Sequence, residues 1–247
     1  MRALLAFFTV LPVAAPDSSL DDAARRAYLL PLVGLLTGLP GAAILLLAYV
    51  MPPGVVATLA LGASLVAAGL HHTDGVMDVG DALMVRSSPA RRREVLKDVR
   101  VGAGAIGALF IVYAPTLAAL VALAQASPAK AAASLLAAET AARSAMLLML
   151  LFGRSAEKGS SSVFFVRSLR EGRRRAVALV LALALPPLVA GPLGGGALSA
   201  FLAPPVTALF ALALARRAFG GISGDVSGAT GESARAVLLV ALSGLLL

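Results

Sequence analysis

Asp74, Asp78 and Asp81 stand at i, i+4 and i+7, a spacing that stacks three carboxylates on one face of a helix. Like charges on neighbouring turns repel, so a bare triad is destabilising. A divalent cation reverses the sign of that cost. Mg²⁺ is a hard ion that takes carboxylate oxygen, water and substrate phosphate. His71 and His72 precede the triad, and Asp98 and Arg100 follow it. His72 reads as a ligand-binding residue or as a plain hydrogen-bonded one. Ser88 followed by Pro89 reads as an N-cap with proline at the first helical position. This predicts a helix over 89–100 that carries Asp98 and Arg100 to the next apolar segment. A second group lies far along the chain, in GGISGDVSGATGE from Gly220 to Glu232. Its glycines, among them Gly224 and Gly228, predict a loop whose backbone amides approach an anion closely. Asp225 and Glu232 add carboxylates there. A third group, Glu139 with Arg143, falls inside an apolar stretch. Charge there is costly and marks either function or a mutual i, i+4 ion pair.

These residues must be positioned by membrane helices. The chain has 247 residues, of which 59% are hydrophobic and 14% charged, with a mean hydropathy of +0.91. A soluble domain carries roughly 25% charged residues. Apolar runs at 29–50, 54–71, 103–125, 131–152, 175–192, 198–215 and a short one at 234–247 predict six or seven spanning helices. The expected fold is an all-α polytopic bundle forming a single membrane-embedded catalytic domain over 1–247. Barrel-type alternation is absent, and helices satisfy their own backbone in lipid. Small residues such as Gly34, Gly38 and Gly41 predict close helix packing.

Arginine-rich loops alternate with neutral ones. Arg25 and Arg26 precede the first span, and Arg86 to Arg100 follow the second. Arg154 to Arg175 follow the fourth, and Arg216 and Arg217 the sixth. By the positive-inside rule the N-terminus and both acidic segments face the cytoplasm. The net charge of +8 thus matches a surface against anionic lipid and calls for no nucleic acid. There is no Cys, which excludes a disulfide framework and a thiolate metal site. The opening MRALLAFFTVLPVAAP has some features of a secretory signal, but Arg25 and Arg26 favour its retention as an apolar segment broken at Pro12. With three Tyr, nine Phe and no Trp, the chain offers little obvious stacking surface.

HTDGVMDVGDAL, then KDVRVGAGAIG, then GGISGDVSGATGE resemble the signature segments of the cobalamin synthase family, the adenosylcobinamide-GDP ribazoletransferases. Weaker similarity lies in FFTVLPV at 7–13, PLVGLLTG at 31–38 and EKGSSSVF at 157–164. The resemblance implies a Mg²⁺-dependent membrane enzyme that joins adenosylcobinamide-GDP to α-ribazole or its 5′-phosphate and releases GMP. It implies that Asp74, Asp78, Asp81 and Asp98 form the acidic centre, the first three as metal ligands. His72, Arg100, Gly102, Asp225 and Glu232 also fall on family motif positions, and Arg143, Gly224 and Gly228 join them as expected substrate-binding residues. Ala105 stands where a motif glycine is expected, and Arg235 where a further acid is common.

Two other readings compete. A CDP-alcohol phosphotransferase shares the membrane helices and clustered aspartates, but the Ala-Arg of its D-G-x-x-A-R motif is absent after Asp74-Gly75, and its later acid pair is missing. An ion-coupled transporter places charge at the midplane, often within inverted repeats, whereas these acids gather at inner helix ends and no repeat is visible. Whether the chain forms a homo-oligomer is left open by its sequence.

Overall fold

The structure is a computed structural model and describes residues 1–13, 19–157 and 159–246. Residues 14–18 at the end of the opening apolar run, Lys158 of the basic loop after the fourth span and Leu247 of the last span lie outside them. Twelve α-helices and no named strand occur among the described residues. Helices α1 (Arg2–Phe8) and α2 (Ser19–Arg25) are short. Helix α3 (Leu30–Leu45) is extended at both ends by 3₁₀ turns, so that Ala27–Tyr49 forms one span. Next come α4 (Pro53–Ala67), α5 (His71–Met84) and the short α6 (Pro89–Val95). Helices α7 (Ala103–Ala126) and α8 (Pro128–Phe152) are long. The short α9 (Ser162–Ser168), then α10 (Gly172–Val189), α11 (Gly196–Phe219) and α12 (Gly224–Leu246) complete the chain.

Five helical segments are long and apolar enough to cross a membrane, and a sixth crossing results if α4 and α5 are counted together. The protein is a multi-pass helical membrane protein. Helix α10 has 18 residues, at the short end of spanning helices, and opens on Arg173, Arg174 and Arg175. Helix α8 is the centre of the bundle, with 83% of its apolar window buried and α3, α7, α10, α11 and α12 packed around it. The periphery is apolar, as lipid requires: Phe110 and Phe210 are each 73% exposed. Small residues allow the close contacts of α3. A Cβ on Gly34 would lie 2.3 Å from the Glu139 carbonyl oxygen.

Local capping follows the sequence in two places. The Ser88 hydroxyl accepts from the Arg91 N–H at 3.3 Å, with Pro89 starting α6. Ser127 ends α7 and caps α8, accepting from the Lys130 N–H at 3.4 Å.

Two expectations are corrected. The helix expected over 89–100 stops at Val95, which leaves Asp98 and Arg100 in an exposed loop. The glycine-rich segment expected as a loop is helical from Gly224 on, because α12 begins there rather than near 234. Gly228 and Gly231 serve packing. A Cβ on Gly228 would lie 3.0 Å from the His72 ring, and one on Gly231 would lie 2.9 Å from the Met146 sulfur. Tertiary contact overrides the modest cost of glycine in a helix.

Candidate active site

The site is built where α5 turns across the bundle. Helix α4 ends and α5 leaves it at 93°, through Gly69 (φ 80°) and Leu70 (φ 61°) in the left-handed region. Glycine takes this conformation freely, while Leu70 holds it at a cost of about 1–2 kcal/mol. The bend lays α5 between α7 and α12. Gly75 makes the contact possible, since a Cβ there would meet the Asp225 carbonyl oxygen at 2.6 Å and its Cα at 3.0 Å. Two acidic segments separated by over a hundred residues in sequence are thereby brought into contact.

Asp74, Asp81 and Asp225 all lie within electrostatic reach of Asp78. Asp74, Asp78 and Asp225 have no ion-pair partner within 4.0 Å among the described residues. Asp225 accepts only a 3.3 Å bond from the Ser223 hydroxyl. Asp81 is placed differently. It accepts from the Gly102 N–H at 2.7 Å and the Ala105 N–H at 2.9 Å, capping the start of α7 from a neighbouring helix. Gly102 leaves room for this, because a Cβ there would lie 2.6 Å from the Asp81 oxygen. Asp98 and Arg100 pair with each other through bonds of 3.0 and 2.7 Å. Those bonds hold the Asp98 carboxyl down to about 2 and raise the Arg100 guanidinium. Arg100 is 86% exposed.

Glu232, Arg143 and Glu139 are sealed inside the bundle. Glu139 does not pair with Arg143. Its partner is Arg235 of α12, at 2.8 Å, and Arg235 also pairs with Glu232. Glu232 accepts from the Tyr113 hydroxyl at 2.8 Å, and Tyr113 bonds Thr73 at 2.9 Å, beside Asp74. Arg143 has only the Met146 sulfur, at 3.7 Å. Its Nε and Nη2 have no partner among the described residues. The mutual i, i+4 pair, one of the two readings of the sequence, is replaced by a cross-helix network because α12 brings a second guanidinium to Glu139.

Two cavities meet at Asp225, while Asp74, Asp78 and Asp81 line neither. One, of about 320 Å³, is lined by Arg93, Lys97, Glu157 and Ser160 among others. The second, of about 410 Å³, is lined by Phe7, Phe8, His72, Phe165 and Ser227 among others. Ser161, Ser223, Gly224 and Asp225 line both. The segments around them are joined by backbone. Ile222 N–H donates to the Arg154 carbonyl at 2.8 Å, and Ala156 N–H to the Ile222 carbonyl at 2.9 Å. Gly220, at φ 77°, makes the turn into this segment.

A family model described as cobalamin-5-phosphate synthase matches residues 1–243. The chain belongs to this family. The adenosylcobinamide-GDP ribazoletransferase of Methanocella arvoryzae is 35% identical over 97% of this chain and 93% of its own length. The proteins of that name from Azorhizobium caulinodans and Pyrobaculum islandicum are 36% and 33% identical over 92% and 97% of this chain, and over 88% and 92% of their own lengths. No solved structure matches. A cobalamin-5-phosphate synthase is a transferase of cobalamin synthesis, which sets aside the phospholipid-synthase and transporter readings.

Phe7, Phe8, Phe165, Arg93, Lys97 and Ser227 line these cavities but are not among the site residues expected from the sequence. The aromatic count suggested little stacking surface, yet three of the nine Phe converge on one cavity. Phe7 and Phe8 fall in the weak similarity at 7–13, and Phe165 directly follows the one at 157–164; the two segments lie far apart in sequence and meet in space.

Proposed function

We propose that the chain transfers the corrinoid phosphate of adenosylcobinamide-GDP to a ribose hydroxyl of α-ribazole or its 5′-phosphate. The observation that carries this reading is the position of Asp225, on the wall of two adjoining cavities and against the Asp74–Asp78 face. A transfer between two bulky substrates needs two seats that share one reacting point. The hydroxyl oxygen attacks the phosphorus on the corrinoid side of the diphosphate. A new O–P bond forms, the P–O bond to GMP breaks, and GMP leaves with that electron pair. One carboxylate of the Asp74, Asp78 and Asp225 group accepts the hydroxyl proton. Arg93 and Lys97 provide positive charge beside the smaller cavity.

Mg²⁺ fits the residues present. The donors are all oxygen, and Asp74, Asp78 and Asp225 carry charge that no cation neutralises among the described residues. No three such groups converge into a preformed metal cluster there. Mg²⁺ typically uses one or two carboxylates together with waters and substrate phosphate, so an incomplete protein shell suits it. Asp74, Asp78 and Asp225 would hold it, with Asp81 beside them. Bound there, the ion would neutralise the diphosphate oxygens.

The test uses the purified full chain in detergent with both substrates. GMP release matched by cobalamin formation is expected with Mg²⁺, and loss of both after chelation. Intact substrates after prolonged incubation with Mg²⁺ would refute the reaction.

The same reading places the N-terminus and the acidic segments on the cytoplasmic side, as the alternating arginine loops support. The chain has no Cys, so Ser88→Cys in the loop before α6 provides a single label. An impermeant thiol reagent is expected to reach it in inverted vesicles and not in right-side-out cells. Labelling from outside alone would reverse the topology.

A further inference from the structure

We propose that the cavity walled by Phe7, Phe8 and Phe165 seats the benzimidazole base of ribazole, while the cavity beside Arg93 and Lys97 takes the phosphates of the GDP substrate. This rests on the reaction proposed above and assigns each substrate to a place. The three rings come from α1 and α9. Phe7 lies 4.9 Å from Phe8 and 5.4 Å from Phe165, and Phe8 lies 5.8 Å from Phe165, centroid to centroid. Tilted and edge-on rings at such spacing form an apolar, polarisable wall for a flat aromatic guest. Phe8 and Phe165 are buried, and Phe7 is 40% exposed.

Two polar atoms show that this is more than a greasy gap. His72 Nδ1 and Ser227 Oγ are buried, line the cavity through their residues, and have no hydrogen-bond partner among the described residues. An unpartnered buried polar atom costs about 1–3 kcal/mol. A nucleoside with ring nitrogen and ribose oxygens supplies partners, whereas an acyl chain of a lipid supplies none. The volume of about 410 Å³ suits a nucleoside-sized ligand and is far too small for a substituted corrin. With the base against the rings, the ribose points to the polar rim of Ser161, Ser223 and Asp225, which the neighbouring cavity shares. In that neighbour, Lys97 and Arg93 both converge on Glu157, at 2.7 and 3.6 Å. A diphosphate would compete with this one carboxylate for two cations.

The test compares Phe7→Leu, Phe165→Leu, Ser227→Ala and Arg93→Gln in the full-length protein. The first three are expected to raise the KM for ribazole about 10-fold, in line with loss of a stacking or polar contact, with the KM for adenosylcobinamide-GDP within about twofold. Arg93→Gln should show the opposite split. Phe7 and Ser227 are chosen because one is partly exposed and the other loses a single unpartnered oxygen, so folding is spared. Equal rises for both substrates, or an unmoved ribazole KM in Phe7→Leu and Ser227→Ala, would overturn the assignment. Binding is read separately from turnover through the fluorescence of ribazole itself, which no Trp obscures in this chain. A wild type that binds ribazole in this way and loses binding in the variants, yet releases no GMP, would sink the reaction and uphold the cavity. A wild type that binds no ribazole would sink the cavity.

Discussion

Asp225→Asn is expected to lower turnover at least about 100-fold, the scale for loss of one group that acts on developing charge, while the melting temperature in detergent stays near that of the wild type. The Asp225 carboxylate makes one long side-chain bond, to Ser223 at 3.3 Å. Its backbone, not its side chain, makes the tight contact with Gly75. Asn preserves size and the helix start, and removes the charge. Asp74→Asn and Asp78→Asn should behave alike, because each lacks an ion-pair partner among the described residues. Asp81→Asn should differ. An amide keeps one acceptor oxygen, so one of the two α7 N–H groups it caps loses its partner, and stability falls by about 1 kcal/mol along with activity. Asp98→Asn reports whether the exposed pair with Arg100 joins the site when substrate binds. A loss as large as that of Asp225→Asn places it there. Near wild-type turnover for both Asp74→Asn and Asp225→Asn would reduce the acidic group to a solvated surface.

Arg235→Met is expected to cost the largest stability of any single change, about 3–5 kcal/mol, because it leaves two buried carboxylates without their cation. Arg235, Glu139 and Glu232 are each almost fully buried, and Arg235 bridges the other two. Combining Arg235→Met with Glu232→Gln should restore part of the loss, since the one remaining carboxylate, Glu139, then faces the one remaining buried guanidinium, Arg143. Reversible unfolding in mixed micelles measures both. A single Arg235→Met variant as stable as wild type would show that the network carries no stability. Glu232→Gln alone tests the link to chemistry. Its chain through Tyr113 and Thr73 ends beside Asp74, so kcat should fall with both KM values little changed. That split would make Glu232, buried in the bundle, a positioning residue.

Hydropathy made the bundle legible, because a span of apolar residues in lipid has few alternatives to a helix. Five of the expected spans correspond to α3, α7, α8, α11 and α12. That of α4 reaches spanning length only together with α5, α10 opens on three arginines, and the cap at Ser88 is where its residue types put it. The i, i+4, i+7 aspartates do lie on one helix, α5. The glycines of 220–232 misled because glycine has two meanings: conformational freedom in a loop, or absence of a side chain where two helices touch. Sequence alone cannot distinguish them, and α12 uses the second. Glu139 and Arg143 looked like a pair for a related reason. Helical spacing reports partners within one helix, whereas Arg235 arrives from another.

Composition and motif spacing, local properties read along the chain, identify a helical membrane protein of the cobalamin-5-phosphate synthase family with acidic segments at 72–100 and 220–232. It takes the packed bundle to show that Asp225 meets Gly75, that Asp81 caps α7, and that Phe7, Phe8 and Phe165 share one cavity. Those contacts join residues far apart in sequence. They exist because α5 bends at Gly69 and Leu70, and because small residues let α12 press against it.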